Sequence, residues 1–359
     1  MMAIFITDCE GPISKNDNAF ELSSWFIPEG DRFFTIISRY DDVLADIVKR
    51  RGYKAGDTLK LIVPFLKAYG ATNELMRRFS TENLLLMPGA AEALRYTRAI
   101  MPSFIVSTSY EPYIDALCRA IGFPRENVYC TKIDIDKYEA PGEEVERLKT
   151  LREEIVGMPM IEIPKDAKKL SDLPPETRRT VMRLDEIFWK EIYNMKVGLA
   201  LREINPIGGY EKAKAVKEIA SIFGERLSSV IYVGDSITDV EPFRLIRESG
   251  GLTISFNGNQ YAVREAEVAV LSHNAIVLAI IAEQFKRYGK AHVLNLAENW
   301  DLPTLEDYCD PYMLKRLKSL YPEKAPWVER ITSRNMERLI QESVAFRKTV
   351  RGETIGALG

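Results

Sequence analysis

Histidine and cysteine are scarce in this sequence, and their scarcity narrows the chemistry. The 359 residues include two histidines, His273 and His292, and neither stands beside a serine or cysteine motif. Histidine-dependent nucleophilic catalysis therefore has little to work with, and acid/base work falls mainly to carboxylates. Four cysteines, Cys9, Cys118, Cys130 and Cys309, lie far apart with neither a CxxC pair nor a disulfide rhythm, which reads as reduced thiols in a cytosol. No apolar run reaches the roughly 18 residues of a membrane span. The N-terminal MMAIFITD meets an acid too soon to be a signal peptide, so a soluble, cytoplasmic protein is expected. Block-like basic charge is also missing: 49 Lys and Arg against 52 Asp and Glu give a net charge of -3. That balance does not resemble a nucleic-acid footprint and favours a small-molecule partner. Neither an internal repeat nor a low-complexity tract is present.

What the chain does have is a series of short apolar runs: Ala3 to Thr7, Phe104 to Val106, Val128 to Cys130, Val230 to Val233 and Leu252 to Ser255. Helical patterns flank most of them, at Ala90 to Ile100, Pro112 to Ile121, Tyr210 to Phe223 and Val240 to Glu248. Strands alternating with helices of this length predict an α/β fold with a doubly wound parallel sheet, whose ligand site lies at the carboxyl ends of the strands. Asp8, Ser107 and Asp235 fall at such ends.

Two long stretches interrupt the alternation. From Ile13 to Leu86 the pattern is helical, with helices expected at Tyr40 to Arg50, Thr58 to Tyr69 and Asn73 to Phe79, capped at Asp57 or Thr58 and at Asn73 or Thr72. From Thr131 to Gly208 come a charged helix near Glu143 to Ile155 and an amphipathic one from Pro175 to Met195, too much for a simple connection. After Phe285 a helical tail is expected, in which Ser333 caps a helix with Met336, Leu339, Ile340 and Val344 on one face.

Four pieces carry chemistry, in chain order: FITDCEGP with Asp8 and Glu10, FIVSTS with Ser107 and Thr108, GGYEKAKAVKEI with Lys212, and VIYVGDSITD with Asp235 and Asp239. Together the four carboxylates face the single cation Lys212, and such a cluster needs a further positive charge. Oxygen-only ligation with a phosphate to share suits Mg²⁺. A carboxylate, a hydroxyl and backbone at Ser107 and Thr108, and a lysine then make up a phosphoryl-transfer site in which Asp8 attacks and Glu10 moves the proton.

These motifs resemble the haloacid dehalogenase superfamily, and within it the phosphoserine phosphatase-like branch with a helical cap after the first motif. The resemblance implies that Asp8 is the nucleophile and that Glu10 is acid/base and gives its backbone carbonyl to Mg²⁺. It makes Ser107 and Lys212 phosphate ligands, and Asp235 a metal ligand with Asp239 supporting it. Asp17 falls near an acidic residue of that branch that meets the substrate's amino group, although it reads first as a solvated residue of the polar loop SKNDN. Arg77, Arg78 and Tyr110 could also reach a substrate, and Cys9 reads as a packing residue. The expected division is a catalytic core from 1–14, 84–130 and 208–289, a cap at 15–83, a second insertion or lid at 131–207 and a C-terminal extension at 290–359.

The family's phosphatases have aspartate where this chain has Glu10, a change of on the order of 1 Å in carboxyl position that can cost about 10²-fold in rate. Two functions follow. One is a phosphatase of a small phosphorylated metabolite. The other is a slow or silent binding or regulatory subunit, since the chain also resembles archaeal members labelled as accessory subunits of an energy-converting hydrogenase. A homo-oligomer or a complex partner would then use the C-terminal helices. A metal-free dehalogenase would not need an acid at position 10.

Overall fold

The structure, a computed structural model, describes residues 2–164 and 166–358; Met1, Lys165 and Gly359 lie outside the described residues. A seven-stranded sheet runs in the order β3-β2-β1-β4-β5-β6-β7. The strands are β1 (Ile4–Thr7), β2 (Ser103–Tyr110), β3 (Val128–Thr131), β4 (Val230–Gly234), β5 (Leu252–Phe256), β6 (Val268–Leu271) and β7 (Trp327–Arg330). All neighbouring pairs are parallel except β6 with β7. The chain is thus α/β with the expected parallel, helix-covered sheet.

The apolar runs form strands because both of their faces are covered. Along β1, Phe5 enters one core while Ile4 and Ile6 enter the opposite one, the alternation that a pleated strand imposes. The first core is closed by the helices Ala90–Ile100 and Ile276–Leu296, the second by Tyr210–Ile222 and Val240–Glu248. Asp8 and Asp235 follow directly on the adjacent, parallel strands β1 and β4, so the sheet alone brings them together.

The two insertions share a single core. Helices at Asn18–Phe26, Gly30–Asp42 and Thr58–Ala68 pack with Gly142–Val156 and Pro175–Glu186. The Phe65 ring lies 4.8 Å from Phe33 and 6.1 Å from Phe188, across that junction.

Several local expectations need correction. The helix expected from Tyr40 to Arg50 begins at Gly30 and ends in a widened π turn, Val43–Ile47, because the buried stripe starts with Phe33, Phe34, Ile36 and Ile37. A helix at Asn18–Phe26 precedes it. The helix expected to run unbroken from Pro175 to Met195 widens at Ile187–Glu191, where Leu184, Ile187, Phe188 and Ile192 are all fully buried. Thr72 caps its helix through Leu75 N, whereas Asp57 makes no capping bond and instead pairs with Lys60 at 2.5 Å. Ser333 is exposed, and the helix Met336–Arg351 has Asn335 at its N-cap. The tail is not wholly helical, since it supplies β7, which covers the edge of β6.

Candidate functional site

Asp8 sits where β1 ends, 5% exposed, with Oδ1 accepting the Cys9 amide at 2.6 Å. Its Oδ2 accepts Nζ of Lys212 at 2.5 Å. Lys212 lies in the first turn of the helix Tyr210–Ile222, whose Ala215, Val216 and Ile219 face the sheet. That packing turns Lys212 inward, with no exposure, and leaves Lys214 and Lys217 in solvent. A second bond, 2.8 Å to Oδ1 of Asp239, makes the ammonium a bridge between two buried carboxylates. Asp239 Oδ1 also accepts the Tyr232 hydroxyl, and its Oδ2 accepts the amides of Asp235 and Ser236 at 2.9 and 3.1 Å. Both Asp239 oxygens are therefore occupied, so this side chain holds the turn after β4 and orients Asp235.

Lys212 is not the single cation of the cleft, which corrects the sequence reading. The helix Met336–Arg351 brings in Arg347 and Arg351, whose side chains are each 3% exposed and both donate to Oδ2 of Asp235, Arg351 at 3.1 Å. Arg351 also donates to the carbonyls of Lys15 and Asn16, which fastens the extension to the segment leaving β1. Nothing in QESVAFRKTVR sets these arginines apart from the basic residues that ordinarily end a helix. Their i, i+4 spacing on the face of Ser343 and Leu339 was the available signal.

Glu10 and Asp17 line the same cavity. Glu10 Oε1 accepts the Asn18 amide at 2.8 Å, while Asp17 caps the same helix through Phe20 N at 3.0 Å. Asp17 is thus a half-buried cap, not a solvated loop residue. Ser107 is buried, and its Oγ bonds Ser109 Oγ at 3.0 Å and accepts the Ser109 amide. The helix that follows begins at Glu111, so these serines are not its cap. The Thr108 hydroxyl donates to Ile207 O at 3.0 Å, so it is engaged within the fold. A register shift between Val106 and Tyr110 bends β2 here, a common device beside binding sites. Arg77 and Arg78 form exposed ion pairs with Glu74 and Glu82, and Tyr110 is buried with its hydroxyl on Leu59 O. None of these three lines the cavity. Cys9 is fully buried and packs in the core.

Burial pushes the Asp8 carboxyl up to about 7, with Asp239 and Asp235 adding to the rise and Lys212 opposing it. Glu10 is raised well above the usual carboxylate range by burial and by Asp17, against Arg351 and the Asn18 amide. Oxygens of Asp8, Asp235 and Asp239 lie within 4.8 Å of one another. This buried, oxygen-only set fits a hard divalent cation. Both arginines use Oδ2 of Asp235, so Asp8, the other oxygen of Asp235 and the Glu10 carbonyl are the groups that could hold one.

Gly11 keeps this arrangement close. Its φ is +92°, and a Cβ there would stand 2.3 Å from Asp235 Oδ2. Gly11→Ala is expected to displace Asp235 and to cost more than the ~1 kcal/mol of an unfavourable φ alone. A urea midpoint equal to that of the wild type would contradict this close packing.

No family model matches the chain, and no curated protein matches it. Among solved structures, gene product AF1437 from Archaeoglobus fulgidus is 27% identical, with a TM-score of 0.80 over 100% of this chain and 99% of that one. A substrate-bound phosphoserine phosphatase complex is 12% identical, with a TM-score of 0.45 over 76% of this chain and 95% of that one. A HAD family hydrolase from Salmonella enterica serovar Typhi is 11% identical, with a TM-score of 0.44 over 76% of this chain and 66% of that one.

Proposed function

We propose that this chain, whose architecture is the Rossmann-like haloacid dehalogenase fold, is a cytoplasmic Mg²⁺-dependent phosphomonoester hydrolase of a small phosphorylated metabolite. One observation carries the reading: Lys212 bridges Asp8 and Asp239 beside Asp235 at the mouth of the parallel sheet. In this reading residues 1–14, 84–130 and 208–289 form the catalytic core, 15–83 the cap, 131–207 a lid and 290–359 an extension.

A Mg²⁺ ion held by Asp8, Asp235 and the Glu10 carbonyl would screen the charge of the phosphoryl group. An Asp8 oxygen attacks phosphorus, the ester P–O bond breaks, and Glu10 protonates the departing alkoxide. Burial and Asp17 raise the Glu10 carboxyl, the direction that suits a proton donor. Water then attacks the phosphorus of the aspartyl-phosphate and returns a proton to Glu10, releasing phosphate and restoring Asp8. Lys212 keeps Asp8 anionic and in place, while the Ser107 hydroxyl and the Thr108 amide hold phosphoryl oxygens. The test is Mg²⁺-dependent phosphate release from a panel of phosphomonoesters; no release from any of them, by a protein that still binds Mg²⁺, would overturn it.

Glu10 Oε1 reaches the Asn18 amide at 2.8 Å, a contact that a shorter side chain would lose. Both Glu10→Gln and Glu10→Asp are therefore expected to slow turnover, the first by roughly 10²- to 10⁴-fold and the second less. Steady-state rates for the three proteins check this, and an accelerated Glu10→Asp would mean that glutamate is misplaced in the cleft.

One observation favours the second reading, a slow or silent binding subunit. Asp235 is already neutralised by two buried arginines, an arrangement that serves binding as well as turnover.

A further inference from the structure

The cavity at the strand ends contains a donor that the proposed reaction does not use. Arg347 reaches it from the helix Met336–Arg351, which is fixed by Leu339 and Ile340 in a small apolar cluster with Val263 and Leu271 and by Ser343 Oγ on Gly258 O at 2.6 Å. All three hydrogen bonds of Arg347 are made by Nη1, to the carbonyl and carboxylate of Asp235 and to Asn257 O. Its Nε is buried and has no partner, although the residue lines the cavity. Among the described residues that line this cavity, no other buried side-chain donor lacks an acceptor.

The nearby cations are committed. Lys212 spends itself on Asp8 and Asp239. Arg351 uses Nε, Nη1 and Nη2 on Lys15 O, Asp235 and Asn16 O. In a guanidinium group, Nε and Nη2 form one edge whose two N–H vectors match the two oxygens of a carboxylate or phosphoryl group. Along this edge of Arg347, Nε is buried without an acceptor, and the three hydrogen bonds of the side chain all lie at Nη1 instead.

We propose that Arg347 reads a second oxyanion on the substrate, so that the cleft selects phosphomonoesters that also carry a carboxylate or a second phosphoryl group. The inference rests on the reading of this cleft as a phosphate site. The cavity measures ≈ 100 Å³ and is shared with Asp8, Ser107 and Asp235, so the two anionic groups must be separated by only a few atoms. The C-terminal extension is then part of the substrate site.

The test uses the full chain carrying Asp8→Asn, which binds without turnover, titrated calorimetrically in Mg²⁺ with ethyl phosphate, 2-phosphoglycolate and ethane-1,2-diyl bisphosphate. One or both of the doubly anionic probes should bind at least about tenfold more tightly than ethyl phosphate, the scale of one added charge-assisted contact. Which of the two gains identifies the second group. Adding Arg347→Lys, which keeps the charge but not the fork, should cut that preference below about threefold. Equal binding of all three probes overturns the inference and leaves the phosphate site standing, whereas binding of none removes both. A preference that survives Arg347→Lys assigns the second anion elsewhere and also overturns it. Should Arg347→Lys fail to fold, the comparison of probes on Asp8→Asn alone still decides whether a second oxyanion is read.

Discussion

Asp8→Asn is expected to lower phosphate release by roughly four orders of magnitude or more, the scale on which removal of a nucleophile acts. An amide has nearly the shape of the carboxylate and keeps one oxygen, to accept either Lys212 or the Cys9 amide, but it cannot attack phosphorus as an anion. Stability should move the other way or not at all. Burial has pushed the Asp8 carboxyl up to about 7, so folding at neutral pH holds this group in a charge state that its surroundings resist. A neutral amide relieves that cost, the usual relation between a reactive site and the fold around it. The measurements are steady-state phosphate release and thermal melting on the same preparations. A variant that melts well below the wild type would make its lost rate uninformative, and one that releases phosphate at the wild-type rate would remove Asp8 from the mechanism.

Lys212→Met should be the most destabilising single change at the site. The ammonium is fully buried between Asp8 and Asp239, at 2.5 and 2.8 Å. Removing one partner of a buried ion pair leaves the other charge uncompensated, at a cost of about 3–5 kcal/mol, and here two carboxylates lose their cation together. The pH dependence carries a sign. Lys212 opposes the rise of the Asp8 carboxyl, so without it the folded-state pKa of Asp8 moves further above the unfolded value and the folded variant binds more protons than the unfolded chain. Its stability then falls as pH rises through that window. The gap between wild type and variant should be wider at pH 8 than at pH 5 in urea unfolding. A gap that is independent of pH would mean that lost packing, and not charge, explains the effect.

The insertions and the tail were less legible than the strand ends. The helix expected at Tyr40 begins ten residues earlier, at Gly30, because Phe33, Phe34, Ile36 and Ile37 begin its buried stripe, and short apolar runs are ambiguous without knowing what covers them. β7 escaped notice because an edge strand bearing Trp327 and Arg330 is only partly buried. Thr108 was expected to offer its hydroxyl, yet a carbonyl more than ninety residues away, at Ile207, takes that proton.

By itself the sequence determined the parallel sheet and brought Asp8 and Asp235 together, because apolar runs that end in acids make buried strands whose carboxyl ends must meet. The face of Lys212 was equally determined, since Ala215, Val216 and Ile219 have to pack inward. Only the tertiary structure decided that Asp239 is saturated by hydrogen bonds, that Asp17 caps a helix, and that Arg347 and Arg351 enter the cleft. The arginine contacts join segments more than a hundred residues apart. Their partners are chosen by how the helices dock on the sheet, and docking depends on shape and buried area that no local pattern of residues encodes.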